Sequence, residues 1–106
     1  RTKELIISGG ENIHPTEIEH VALGDASVAE AAVVGLPDAR WGEVPVLAVV
    51  ARPGATVDPD ALRARFEGAL ARFKHPRRIV VLDALPRTAL GKVQRAVLAR
   101  QLGETP

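Results

Sequence analysis

The chain has 106 residues, 46% of them hydrophobic and 25% charged, a composition that suits one small globular domain and excludes a disordered or fibrous segment. It contains no cysteine, which excludes a disulfide framework and a thiolate metal site, and its three histidines are scattered rather than spaced as ligands. The net charge of +1 hides an asymmetry: residues 1–70 hold 6 Lys/Arg against 11 Asp/Glu, and residues 71–106 hold 8 against 2.

A basic end of this kind is either a solvated face or an attractor for something anionic. No apolar run approaches about 18 residues and no charged-then-apolar leader opens the chain, so no membrane span or signal peptide is expected, and a cytoplasmic location is. The chain opens on Arg1 and enters an apolar run almost at once, so it is expected to be an excerpt of a longer protein whose neighbour holds part of the chemistry.

In chain order, residues 5–8 form a short apolar run closed by Gly9 and Gly10, which reads as a strand entering a loop with unusual backbone angles. Pro15 suits the first turn of a helix, with Glu17 in that turn and Ile18, Val21 and Ala22 making one buried stripe. Residues 29–36 (AEAAVVGL) and 44–52 (VPVLAVVAR) are rich in β-branched residues and flank the turn-rich link PDARWGE, so they read as neighbouring antiparallel strands. Asp58 and Pro59 supply an N-cap and an N1 proline. The stripe Leu62, Phe66, Ala69, Leu70, Phe73 then predicts a helix continuing through Phe73, with Arg63, Arg65 and Arg72 outside the stripe. Residues 78–82 (RIVVL) read as a third core strand. Residues 93–102 read as a last helix with Val93, Val97, Leu98 and Leu102 inward. With too few crossovers for a doubly wound sheet, the expected class is α+β: a small sheet of about three strands with helices packed on it.

Four stretches carry candidate chemistry. In ISGGEN, residues 7–12, two glycines either make a plain turn or let a backbone approach a ligand closely, and the spacing matches neither a dinucleotide fingerprint nor a phosphate loop. Trp41, the single tryptophan, sits in a polar loop, where an indole either caps the core edge or offers a flat face to a base. FKHPRR, residues 73–78, gathers Lys74, His75, Arg77 and Arg78 around a proline, either as a solvated link or as a phosphate-binding group. In LPRTALGKVQR, residues 85–95, Lys92 lies opposite the stripe through Leu90, Val93 and Val97 if the last helix extends back one turn, and on a loop if it does not. Either way its ammonium is displayed between Pro86 and Gly91.

RTKELIISGGENIHPTEIE at the start and LPRTALGKVQR near the end resemble the two signatures of the small C-terminal domain of adenylate-forming enzymes, the acyl-CoA synthetases, aryl-CoA ligases, luciferases and peptide-synthetase adenylation domains. VVGLPDARWGEVPVLAVV and ARFKHPRRIVVLDALPRTALGK extend the resemblance over essentially the whole chain, residues 1–106, and ISGGENIHP is similar to the acyl- and aryl-CoA ligase branch. The resemblance implies a lid domain in an enzyme that converts a carboxylic acid and ATP to an acyl-adenylate and then to the coenzyme A thioester. Lys92 is implied as the cation at the carboxylate and α-phosphate during adenylation. Lys3 is implied as the hinge, and Gly9 and Gly10 as the backbone lining of the pantetheine tunnel. Trp41 and Phe73 are implied to flank the adenine of coenzyme A, with Arg77 and Lys74 on its phosphates; His75 stands where a relative has arginine, which removes a constant charge.

The resemblance further implies that the large N-terminal domain of the same chain is the partner, carrying the acid pocket, most of the ATP site and its Mg2+, so that the fragment alone is inactive. Lys92 is implied as a target of a lysine acetyltransferase and deacetylase. Two alternatives stand beside this: a lid that delivers acyl-adenylate to a carrier protein, and a small basic nucleic-acid-binding module. The second has three aromatics and no nucleic-acid signature to support it.

Overall fold

The two longest apolar runs of the sequence pair with each other and organise everything else. In the computed structural model, which describes residues 5–103, β1 (Ile6–Ser8), β2 (Glu11–Ile13), α1 (Pro15–Leu23), β3 (Val28–Asp38), β4 (Gly42–Ala51), α2 (Pro59–Ala64), a 3-10 turn (Arg72–Lys74), β5 (Arg78–Leu82) and α3 (Arg95–Gly103) follow in order. β3 and β4 form the predicted antiparallel hairpin, with Val33 opposite Leu47 and Asp38 opposite Gly42. The other edge of β4 is divided: Gly42 pairs with Ser8 of β1, and residues 46–50 pair in parallel with β5. The first half of that edge thus receives the β1–β2 hairpin and the second half receives β5.

Both faces of this sheet are covered, which is why β3 and β4 read as continuous apolar runs rather than alternating ones. On one face Ile6, Val33, Leu47 and Val49 pack with Ile18 and Ala22 of α1, Leu62 of α2, and Phe66. On the other, Ala32, Val34, Val46 and Ala48 pack with Leu98 and Leu102 of α3. Alternate residues of each strand serve opposite cores, as the two-residue period requires. The α+β class read from the sequence is the observed one.

Three details differ. Among the described residues the sheet has five strands rather than about three, because the short run at residues 6–8 joins it as β1 through Ser8 and Gly42, and ENI in β2, too short and too polar to show as a strand, is held by pairing with β1, Ile6 opposite Ile13. The helix expected to run to Phe73 stops at Ala64. Asp58 does cap it, accepting from the backbone N–H of Asp60 and Ala61 at 3.0 and 3.4 Å. After it the bonds shorten to i→i+3 at Arg65, Phe66 and Glu67, and Gly68 takes φ +79°, a left-handed conformation that no α-helix accommodates. Phe66 is still buried, but Phe73 is 44% exposed. Finally, α3 begins at Arg95 rather than at residue 93, and of the two placements open to the Lys92 segment the loop is the observed one: the chain turns at residues 88–91 and Leu90 is 93% exposed.

The free edge of β3 is closed by side chains. Glu19 of α1 accepts the N–H of Val33 at 2.8 Å, and Arg95 of α3 donates to the same Glu19 Oε2 at 2.6 Å. Helices on opposite faces are thereby clipped together around the edge strand, which also blunts an edge that would otherwise pair with other chains. Among the described residues no helix is long and apolar enough to cross a membrane.

Candidate functional site

Where β1 meets the β3–β4 turn, local geometry is fixed from the backbone outward. Asp38, the last residue of β3, accepts the N–H of Arg40 and Trp41 at 2.8 and 2.9 Å. These bonds, Trp41's first, hold its carboxyl below the ordinary value of 3.8, since an accepted N–H favours the charged form. The turn so fixed presents Trp41 O to the N–H of Gly9 at 2.8 Å, and the indole lies against Gly9 itself. A Cβ at Gly9 would stand 2.6 Å from Trp41 Cε3, and its φ of +57° is one that side-chained residues rarely adopt. Gly9 is required twice over, by conformation and by contact. Gly10, at φ +82°, has open space around it.

Beside this corner lies an open cleft of about 450 Å³. Gly9 and Trp41 form one wall, Arg63 and Glu67 another, and the segment Phe73, His75 and Arg77 a third. The third wall is brought there by β5's entry into the sheet, where Arg77 N–H donates to Pro45 O at 2.8 Å. Arg63 Nη1 donates to Pro76 O at 2.9 Å and fastens that segment to α2. Leu70 O lies 3.0 Å from His75 Nε2; a carbonyl only accepts, so the bond places a hydrogen on Nε2 and turns Nδ1 toward Glu67, 3.8 Å away. Trp41 and Phe73 are each about two-fifths exposed, so the cleft offers two aromatic surfaces together with the guanidinium groups of Arg63, Arg72 and Arg77. Such a set can take an aromatic ring and attached anionic groups.

Of the residues singled out from the sequence, Gly9, Trp41, Phe73 and Arg77 line this cleft with His75. Lys74 is directed elsewhere: its Nζ donates to Glu17 at 2.8 and 3.3 Å, while lying 5.8 Å from the Phe73 ring centre. Lys3 lies outside the described residues. Arg63, Glu67 and Arg72 also line the cleft; in the sequence Arg63 and Arg72 read only as the outer face of a helix, and Glu67 carries no signal of its own. Their i, i+4 spacing puts Arg63 and Glu67 on one side of a helix, but nothing in that spacing says what faces it.

Lys92 is far from the cleft. The segment 87–93 is a tight loop: Thr88 N–H donates to Lys92 O at 2.8 Å, Lys92 N–H to Thr88 Oγ1 at 3.2 Å, and Gly91 N–H to Thr88 O at 2.9 Å. Arg87 pairs with Glu30 near the start of β3 at 2.6 Å. Glu30 and Asp38 are eight positions apart on one strand, a span of about 26 Å at 3.3 Å per residue. The lysine loop and the Trp41 corner therefore occupy opposite ends of the sheet. Among the described residues, no group of three or more His, Cys, Asp or Glu side chains could hold a metal ion.

Residues 17–92 match the family described as AMP-binding enzyme C-terminal domain. The chain is 54% identical over 95 residues to the indoleacetate–CoA ligase of Aromatoleum aromaticum, covering 90% of this chain and 19% of that protein. It is 46% identical over 106 residues to the 4-chlorobenzoate–CoA ligase of a Pseudomonas species, covering 99% of this chain and 20% of that one. Among solved structures, apo MatB from Rhodopseudomonas palustris superimposes with a TM-score of 0.92 at 40% identity, over 98% of this chain and 21% of that chain. The chain thus spans about a fifth of the length of the relatives it matches.

Proposed function

Because the chain belongs to the AMP-binding enzyme C-terminal domain family, the small domain of acyl-CoA synthetases in the adenylate-forming superfamily, we propose that it is the mobile lid of an acid–CoA ligase. In the first half-reaction a carboxylate oxygen attacks the α-phosphorus of ATP, the acyl–O–P bond forms and pyrophosphate leaves. Lys92 meets the charge developing on the carboxylate and α-phosphate, and a cation aimed there stabilises the transition state more than the ground state. In the second, the coenzyme A thiolate attacks the acyl carbon and AMP leaves. Gly9 and Gly10 then line the pantetheine path, Trp41 and Phe73 flank the adenine, and Arg77 holds phosphate. Lys3 is the pivot, the large domain supplies the acid pocket, the ATP site and its Mg2+, and the lid alone is inactive.

The observation that carries this reading is the separation of the two candidate sites. A lysine loop and a nucleotide-sized cleft, anchored at positions of β3 about 26 Å apart along the strand, cannot serve one reacting centre together, so they serve it in turn, through rotation of the domain. The cleft also favours free coenzyme A over a carrier protein as acceptor, since a carrier's pantetheine brings no nucleotide to fill it. The acid is set outside this chain, and the relatives' names already span indoleacetate and 4-chlorobenzoate. Charge removal at Lys92 by acetylation would silence adenylation, and a cytoplasmic enzyme would meet the acetyltransferase and deacetylase that do so.

The test is Lys92→Ala in the full-length ligase, with each half-reaction measured separately on an acid chosen from indoleacetate, 4-chlorobenzoate, 2-succinylbenzoate, ferulate and palmitate. Pyrophosphate exchange should fall by about 10²–10³, while thioester formation from preformed acyl-adenylate stays within about threefold. Equal losses in both halves would refute the assignment.

A further inference from the structure

Lysine carries a long flexible stem, so where its ammonium acts depends on how firmly its backbone is held. The loop around Lys92 is held by several bonds within itself. Thr88 engages both the N–H and the C=O of Lys92, Arg87 bridges to Val93, and Gln94 N–H donates to Pro86 O at 2.8 Å. Residues 86–94 therefore move as one unit, and what orients the lysine is whatever ties that unit to the sheet.

Val93 packs against the core on that face, and two ion pairs, which differ in kind, add the polar part of the tie. Arg95–Glu19 is mostly buried, with side-chain exposures of 26% and 13%, and Glu19 also satisfies the edge of β3; its removal would damage the fold. Arg87–Glu30 is about two-fifths exposed on both sides, so it contributes little to stability. Its geometry is nonetheless specific. Arg87 Nη2 donates to Glu30 Oε1 at 2.6 Å while Nη1 donates to the carbonyl of Gly91 at 2.5 Å. One guanidinium thus spans from the sheet to the residue immediately before Lys92. A planar fork can hold both acceptors at once; a single ammonium cannot do so with the same geometry.

We propose that Arg87 and Glu30 are positioning residues for adenylation, a clamp that fixes the Lys92 loop on β3 so that its ammonium reaches the carboxylate and α-phosphate. The inference rests on the reading of Lys92 given above and adds two residues that touch no substrate. Because orientation errors of about 1 Å are expensive at a reacting centre, a clamp of small thermodynamic weight has a large kinetic consequence. The thioester half-reaction uses the other end of the sheet and does not depend on it.

The experiment compares Glu30→Gln, Arg87→Lys and Lys92→Ala with the parent in the full-length ligase, on the same acid. Glu30→Gln and Arg87→Lys should each slow pyrophosphate exchange about five- to tenfold through kcat rather than KM, leave thioester formation from preformed acyl-adenylate unchanged, and shift the melting temperature by no more than about 2 °C. Equal losses in both half-reactions, or no loss in either, would overturn the clamp while leaving the role of Lys92 intact. If Lys92→Ala itself fails to separate the two halves, the functional reading falls and the clamp falls with it; a Lys92→Ala variant that does separate them, beside clamp variants that do not, marks the failure of the clamp alone.

Discussion

The two ends of this sheet are built by different physics. At the Trp41 corner, position is set by backbone: a carboxylate caps the β3–β4 turn, a glycine accepts an indole against its Cα, and a β-strand entering the sheet delivers the basic wall of the cleft. At the Lys92 end, side-chain ion pairs supplement the packing of Leu85 and Val93 around a loop whose tip residue Leu90 is almost wholly exposed. The first arrangement is insensitive to salt and intolerant of added atoms; the second is the reverse. Under the proposed function, a domain that shows one end and then the other to the same reacting centre would benefit from this contrast: the cleft would present a ready-made shape to a large ligand, whereas the lysine would enter and withdraw.

After Lys92→Ala, the variant that bears hardest on this contrast is Gly9→Ala. The added methyl would meet Trp41 at 2.6 Å in a backbone conformation with φ +57°, so either the indole or the hairpin must move. Thioester formation should fall by roughly 30-fold, from a strain of about 2 kcal/mol at the corner, with pyrophosphate exchange changed by less than about threefold. A variant that lost adenylation instead would show that the two ends are not independent.

Arg77→Ala probes the same wall more gently. Arg77 is about half exposed and lies 3.9 Å from Asp38, so its charge is only loosely engaged within the domain. The KM for coenzyme A should rise about five- to tenfold, as for the loss of one charged hydrogen bond partly screened by water, with adenylation unaltered. With pantetheine in place of coenzyme A the variant and the parent should behave alike. If pantetheine is affected as strongly as coenzyme A, Arg77 does not act on the nucleotide.

Much of this was readable from residue order. The β-branched runs give β3, β4 and β5, the Asp58–Pro59 pair gives the start of α2, and the two end motifs resemble those of adenylate-forming enzymes. What stayed hidden was long-range and polar. Lys74 meets Glu17, Arg87 meets Glu30, each 57 positions away, and such pairings leave no period in a sequence. The early end of α2 was also hidden, because the stripe through Phe73 is a valid helical pattern and only the left-handed Gly68 breaks it. Side chains such as Arg63 and Arg72, read as outside the stripe, line a cleft that exists only once β5 has joined β4.

The smallest effect is expected at Asp38, where the corner's own support is tested. Asn keeps an acceptor oxygen but loses the charge that the N–H groups of Trp41 and Arg40 favour, so Asp38→Asn should raise the KM for coenzyme A by no more than about threefold at neutral pH. The acid dependence carries the sharper information. Because the folded carboxyl lies below its ordinary value of 3.8, its contribution is complete above that pH and is lost as the pH falls through the lower folded value. Trp41 is the single tryptophan of the 106-residue chain, so in that chain expressed alone its fluorescence reports the corner directly. Parent and Asp38→Asn emission should differ at pH 6 and converge as the solution is acidified below 3.8, since protonation removes from the parent what the substitution has already removed from the variant. A difference that persisted unchanged into strong acid would mean that the turn is held by something other than that carboxylate, and the contrast between a backbone-built corner and an ion-pair-built loop would lose its first half.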